Sequence, residues 1–96
     1  MLFGNRIKEL REEQGLLQRQ LAAVLGVDVP MFSKIERGDR RAKRKHVVIL
    51  AQQLNVSEEE LLSLWLADKI IDAIDNDNKV GLNALNVVHK ELSFQI

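Results

Sequence analysis

Glycine breaks this 96-residue chain into short stretches, and each stretch has a helical rhythm. Gly4, Gly15, Gly26, Gly38 and Gly81 mark the breaks, and Pro30 is the only proline. Between them, apolar residues recur at three- and four-residue spacing without alternation, which calls for helices and no strands. Phe3, Ile7, Leu10 and the aliphatic stem of Arg11 share one face of a first helix over about 3–14, ended by Gly15. Leu21, Ala22 and Leu25 define a second helix over about 18–25, stopped by Gly26. A third starts near Val29 and closes at Gly38. Asp28 is its N-cap, and Pro30 falls in the first turn, where a missing N–H has no intrahelical acceptor. Val47, Leu50, Ala51 and Leu54 form the buried stripe of a fourth helix over about 45–54. Ser57 and Glu60 read as a reciprocal capping box opening a long fifth helix over about 58–74. Asp75, Asn76, Asp77 and Asn78 break that helix. A short, weaker helix over about 80–92 follows, with Leu82, Leu85, Val88 and Leu92 in register.

The length allows one core and one domain. With no cysteine, disulfides, thiol nucleophiles and thiolate metal sites are excluded. His46 and His89 lie far apart, so no metal site is expected. No apolar run approaches the roughly 18 residues of a membrane span, and the first residues lack the layout of a signal peptide. The expectation is a soluble cytoplasmic protein with no cofactor, metal, membrane contact or small-molecule ligand. Fourteen basic and fourteen acidic residues cancel overall, but their distribution is uneven. Residues 34–45 carry a net +5 and residues 46–96 a net −5. Half of the basic charge thus sits in one eighth of the chain. Such a block repels itself unless it meets counter-charge, which points to a polyanionic partner or to pairing with this chain's own acidic part.

The region between Gln18 and Gly38 decides between these. A short helix meets the turn Gly26-Val27-Asp28 and then a second short helix. Ala22 is small where two helices cross closely, Gly26 supplies a left-handed turn, and Val27 and Ile35 can plug the angle between the helices. This is a helix-turn-helix layout, whose second helix enters the DNA major groove. At Arg6-Ile7-Lys8-Glu9-Leu10-Arg11, Gln18 to Val27, Phe32-Ser33-Lys34-Ile35-Glu36-Arg37-Gly38 and Leu50-Ala51-Gln52-Gln53-Leu54-Asn55-Val56, the chain resembles the phage-repressor-like (Xre/Cro-type) helix-turn-helix family. It is also similar in size and build to the controller proteins of restriction–modification systems. The resemblance covers about residues 3–66. It implies an all-α, compact five-helix, lambda-repressor-like bundle that binds operator DNA as a two-fold dimer. The bundle here has an extended fifth helix and a short C-terminal helix, giving a DNA-binding domain over 1–66 and a helical extension over 67–96.

The resemblance also implies roles. Gln18 matches a phosphate-contacting glutamine whose amide can also brace a residue on the recognition helix, or else it is a plain surface helix-starter. Val29, Pro30 and Lys34 occupy positions that face the bases, and Ser33 reaches a base edge, a phosphate or neither. Lys34 is a donor for guanine O6 and N7, or else a plain phosphate contact. Arg37, Arg40, Arg41, Lys43 and Arg44 fall in the loop that flanks the DNA backbone. Glu36 pairs with a basic residue inside the bundle. The chain departs from the family at Val29-Pro30-Met31, where polar residues are usual. These three either touch thymine methyl groups or face a protein. The loop also has Ala42 and Lys43 where a proline is common.

The fifth helix is apolar on several sides, and so must be buried on several sides. Trp65, Ile70, Ile71 and Ile74 are its candidate dimerisation residues, with Trp65 either interface or ordinary core. A dimer through this region sets two recognition helices about one DNA turn apart and implies a palindromic operator. The leading function is a sequence-specific DNA-binding transcriptional regulator, a repressor or operon controller. The alternative is a protein–protein interaction bundle that keeps the scaffold without operator binding. No serine, acid or metal partner accompanies either histidine, so an enzyme is not expected.

Overall fold

The computed structural model describes residues 1–96 as six helices with no strand: α1 (Leu2–Glu13), α2 (Gln18–Leu25), α3 (Val29–Arg37), α4 (Arg44–Leu54), α5 (Glu58–Ile74) and α6 (Asn78–Gln95). Left-handed residues end three consecutive members of the bundle: Gly26 after α2, Gly38 after α3 and Asn55 after α4. At each, the next N–H reaches back to the helix, as from Val27 to the Ala22 carbonyl at 3.1 Å and from Val56 to that of Ala51 at 3.0 Å. Helices α1 to α5 enclose one core, in which Ile7, Leu21, Phe32, Val47, Leu50, Leu54 and Leu61 are the largest fully buried side chains. No helix is long and apolar enough to cross a membrane.

Three details differ from the sequence expectation. Gly4 lies inside α1 and is no break. A Cβ there would sit 2.3 Å from the Glu36 carbonyl oxygen, so this glycine lets α1 rest directly on the end of α3. The capping box at α5 is half formed: the Ser57 hydroxyl accepts the Glu60 N–H at 3.3 Å, but the Glu60 carboxylate turns to Arg6 Nε at 3.1 Å. Helix α6 is not short. It has 18 residues, begins before Gly81 and continues past Leu92. Gly81 serves close packing, since a Cβ there would come within 2.5 Å of Ile74 Cγ2.

Helix α6 also lies outside the common core. Apart from Gly81 its residues are exposed, and it packs on the end of α5. The radius of gyration is 15.0 Å, above the roughly 12.5 Å of a compact chain this long. Helix α5 runs unbroken through residues 66 and 67, so the bundle and the extension share one helix.

Candidate nucleic-acid interface

The orientation of α3 follows from its two ends and its inner face. Asp28 Oδ1 accepts the Met31 N–H at 2.8 Å and starts the helix, with Pro30 in the first turn. Phe32, Ile35 and Glu36 are buried. Helical spacing then turns Val29, Pro30, Ser33, Lys34 and Arg37 outward on one arc, and none of these five is buried. The sequence-derived candidates on α3 therefore share a face that the chain leaves uncovered.

A polar clamp holds that face in place. Arg11 on α1 donates from Nε to Glu36 Oε2 at 2.8 Å and from Nη2 to Oε1 at 3.0 Å, and its Nη1 reaches the Leu16 carbonyl at 3.0 Å. Gln18 Nε2, at the start of α2, donates to the same Glu36 Oε1 at 3.0 Å. Three helices thus meet on one carboxylate whose side chain is 3 % exposed. The bidentate bond to Glu36 raises the Arg11 pKa above its ordinary value, offset in part by desolvation. Glu36 pairs inside the bundle, as expected, and Gln18 braces α3. Asn5 and Lys8 of α1 join Gln18, Ser33 and Arg37 around an open, wholly polar recess of about 630 Å³. Nothing in the spacing of Asn5 and Lys8 marks these two α1 residues in the sequence.

The segment after α3 is tethered from behind. Trp65 Nε1 donates to the Ala42 carbonyl at 2.7 Å, and Arg41 pairs with Asp72, both partners standing on α5. Arg37 is bound locally, to Asp39 Oδ2 at 3.0 Å and to Ser33 Oγ at 2.8 Å. Lys34, Arg40, Lys43 and Arg44 have no ion-pair partner within 4 Å. Lys43, Arg44 and Lys45 also crowd the start of α4, which no side chain caps. Cations at the positive end of a helix dipole repel it, and an anion placed there relieves both charges. His46, in the same turn, is buried and its Nδ1 has no partner. Burial, then the nearby Lys45 and Lys43, push its pKa below the usual histidine value.

Comparison with known proteins agrees with this geometry. The family model described as helix-turn-helix matches residues 7–61, from the middle of α1 into α5. The chain belongs to the Xre-type helix-turn-helix family. This helix-turn-helix protein is 35% identical over 60 residues to the HTH-type transcriptional regulator YazB of Bacillus subtilis (strain 168), covering 62% of this chain and 87% of YazB. It is 31% identical over 85 residues to the SPbeta prophage-derived HTH-type transcriptional regulator YonR of the same strain, covering 88% of this chain and 79% of YonR. It is 34% identical over 62 residues to the control protein C.MunI of Mycoplasma sp, covering 64% of this chain and 84% of that protein. No solved structure gives a significant match.

The candidate dimerisation residues all lie beyond the family match. Trp65 is 8 % exposed, bonded to Ala42 and covered on its ring by Lys69 Nζ, 3.7 Å from the centroid. Of the two placements its sequence left open, the structure places it in the core. Ile70 and Ile71 are exposed, and Ile74 is half-buried against Gly81. The buried Asp68, one acid in an otherwise largely apolar stretch, accepts the Leu2 and Phe3 N–H groups at 3.0 Å each. It caps α1 from the far side of the chain, a pairing that no local signal announces.

Proposed function

We propose that this helix-turn-helix protein binds a palindromic DNA operator as a homodimer and regulates transcription from it. The observation that carries the reading is the outward arc of α3: its inner side is locked by the Arg11–Glu36–Gln18 clamp, and its outer side is left bare beside unpaired cations. Lys34 donates to guanine O6 and N7, while Val29 and Pro30 contact thymine methyl groups, so a half-site mixes G·C and A·T pairs. Ser33 contacts a base edge or the adjacent phosphate. Arg37, Arg40, Arg41, Lys43 and Arg44 neutralise phosphates and fix register, with Gln18 alongside. Ile70, Ile71 and Ile74 lie in the dimer region, whose acidic charge faces away from the duplex. The names of YazB as a transcriptional regulator and of C.MunI as a control protein support a regulatory role. The bundle over 1–66 is the DNA-binding unit, and 67–96 is the extension that serves assembly.

The test is binding of Lys34→Ala to a selected operator and to random duplex. The expected result is a loss of about 1–3 kcal/mol on the operator with a flattened preference at one base position. Equal losses on both duplexes would assign Lys34 to phosphate and remove it from base reading.

A further inference from the structure

The first turn of α3 keeps almost nothing with which to read a base by hydrogen bonding. Pro30 carries no N–H. The Met31 N–H is taken by Asp28 Oδ1 at 2.8 Å, and the Phe32 N–H by the Asp28 carbonyl at 3.0 Å. Only the Val29 N–H is left. What this turn offers outward is the Val29 side chain, 41 % exposed, and the exposed Pro30 ring. We infer that this turn reads the C5-methyl group of a pyrimidine and not the base that bears it, so that 5-methylcytosine takes the place of thymine at that position and binding responds to cytosine methylation of the duplex. The inference rests on the operator reading above and names the chemistry of one position within it.

Base chemistry comes first. In the major groove thymine shows O4 beside its C5-methyl, while 5-methylcytosine shows N4–H2 beside the same methyl. A hydrogen-bonding side chain tells the two apart. The alkyl surfaces of Val29 and Pro30 meet the same carbon in both. No hydroxyl or amide side chain stands among Asp28, Val29, Pro30 and Met31. Their one polar side chain is the Asp28 carboxylate, which repels phosphate and accepts from a cytosine N4–H2. This end of α3 therefore suits base edges and not the DNA backbone. Charge and area select the partner. Lys34 follows one helical turn on, and Lys34, Arg40, Lys43 and Arg44 are all without an ion-pair partner. Val27 and Met31, the apolar neighbours, pack partly against the core, which leaves the outward apolar surface of the turn to two side chains. Two side chains fall far short of the roughly 800 Å² that each partner of a stable protein–protein interface buries. An apolar tip that small, framed by free cations, fits the groove of a polyanion. Pro30 and Lys34 are four residues apart, about 6 Å along the helix axis, so the methyl is read within about two base-pair steps of the guanine of Lys34.

The test passes two random duplex pools over the full chain, one built with cytosine and one with 5-methylcytosine in its place. The expected result is one position in each half-site that holds thymine in the first pool and admits 5-methylcytosine beside thymine in the second. Fluorescence anisotropy on the enriched duplex then compares thymine with uracil opposite adenine, and 5-methylcytosine with cytosine opposite guanine, at that position. Each pair differs by one methyl group. Burial of one carbon is worth about three- to fivefold in affinity, so uracil is expected to fall below thymine, and cytosine below 5-methylcytosine, by about that factor per half-site. Val29→Ser is expected to shrink the thymine-to-uracil ratio toward one. Val24→Ser changes an equally exposed valine on α2 and is expected to keep the ratio. Circular dichroism reports the folding of both variants, and the uracil comparison needs neither. Equal binding of thymine and uracil, equal binding of cytosine and 5-methylcytosine, an unchanged ratio in Val29→Ser or a lost one in Val24→Ser would each overturn the inference and leave the operator reading standing. Equality in both pairs would also turn Val29 and Pro30 toward a protein partner. Pools that enrich no sequence would remove the operator reading, and the inference with it.

Discussion

Glu36 shows how much of the recognition surface is decided by a side chain that never reaches it. Its carboxylate takes hydrogen bonds from Arg11 and Gln18, so the helix bearing Lys34 is fixed to both α1 and α2. Removing one partner of a buried pair strands the other, which costs about 3 kcal/mol or more. Glu36→Ala is therefore expected to lose about 3 kcal/mol in urea unfolding, and a loss below about 0.5 kcal/mol, the usual ceiling for a neutral surface change, would show that the clamp is idle. That Glu36 pairs inside the bundle was legible from the family resemblance. The partner was not, because Arg11 reads equally well as an aliphatic stem on an apolar face. His46 couples stability to pH. Unfolded, it titrates near 6.5; folded, burial and then Lys45 and Lys43 hold it lower. Below about pH 6.5 the unfolded chain takes up a proton that the folded chain refuses. Stability is thus full above that pH and falls on acidification, and His46→Gln is expected to flatten the fall in the urea midpoint between pH 7 and 5. An identical pH profile in the variant would clear His46 of the effect.

Helices announce themselves here by their ends. Asp28, Gly26, Gly38 and Ser57 placed α2, α3 and α5 within a residue, because caps and left-handed stops are local chemistry. Helix α6 was underestimated for the same reason. Gly81 looked like a breaker, and its real use, the approach to Ile74, is a contact that no local rule can foresee. The loop between α3 and α4 is the segment where local reading and tertiary contact matter jointly. Its cations were legible as a block, but only the fold separates Arg40, which is unpaired, from Arg41, which Asp72 already neutralises. On random duplex, Arg40→Ala is expected to shrink the salt slope by about one unit and Arg41→Ala by less. Asp72→Asn is expected to strengthen binding by freeing Arg41. Equal slopes for the two arginine variants, or weaker binding by Asp72→Asn, would mean that the Arg41–Asp72 pair shapes the loop and does not compete with phosphate.

The whole molecule divides its labour along α5. Toward its start the helix closes the core and, through Trp65 and Asp72, holds the loop that follows the recognition helix. Toward its end it carries α6 away from the bundle, leaving apolar residues such as Ile71, Val80 and Leu92 exposed. That the bundle lies in the first two thirds was legible from the resemblance over about residues 3–66. That Trp65 belongs to it was not, since an apolar helix on several sides does not reveal which side meets its own chain. Assembly and DNA reading are joined in one claim: two copies present two α3 faces to one duplex. Selection of bound sites from random duplex DNA at low salt measures it most directly. The expected product is an inverted repeat with half-sites one helical turn apart, about 10–10.5 base pairs centre to centre, each holding a G·C pair for Lys34 beside an A·T pair. Recovery of the starting pool without enrichment would contradict the account.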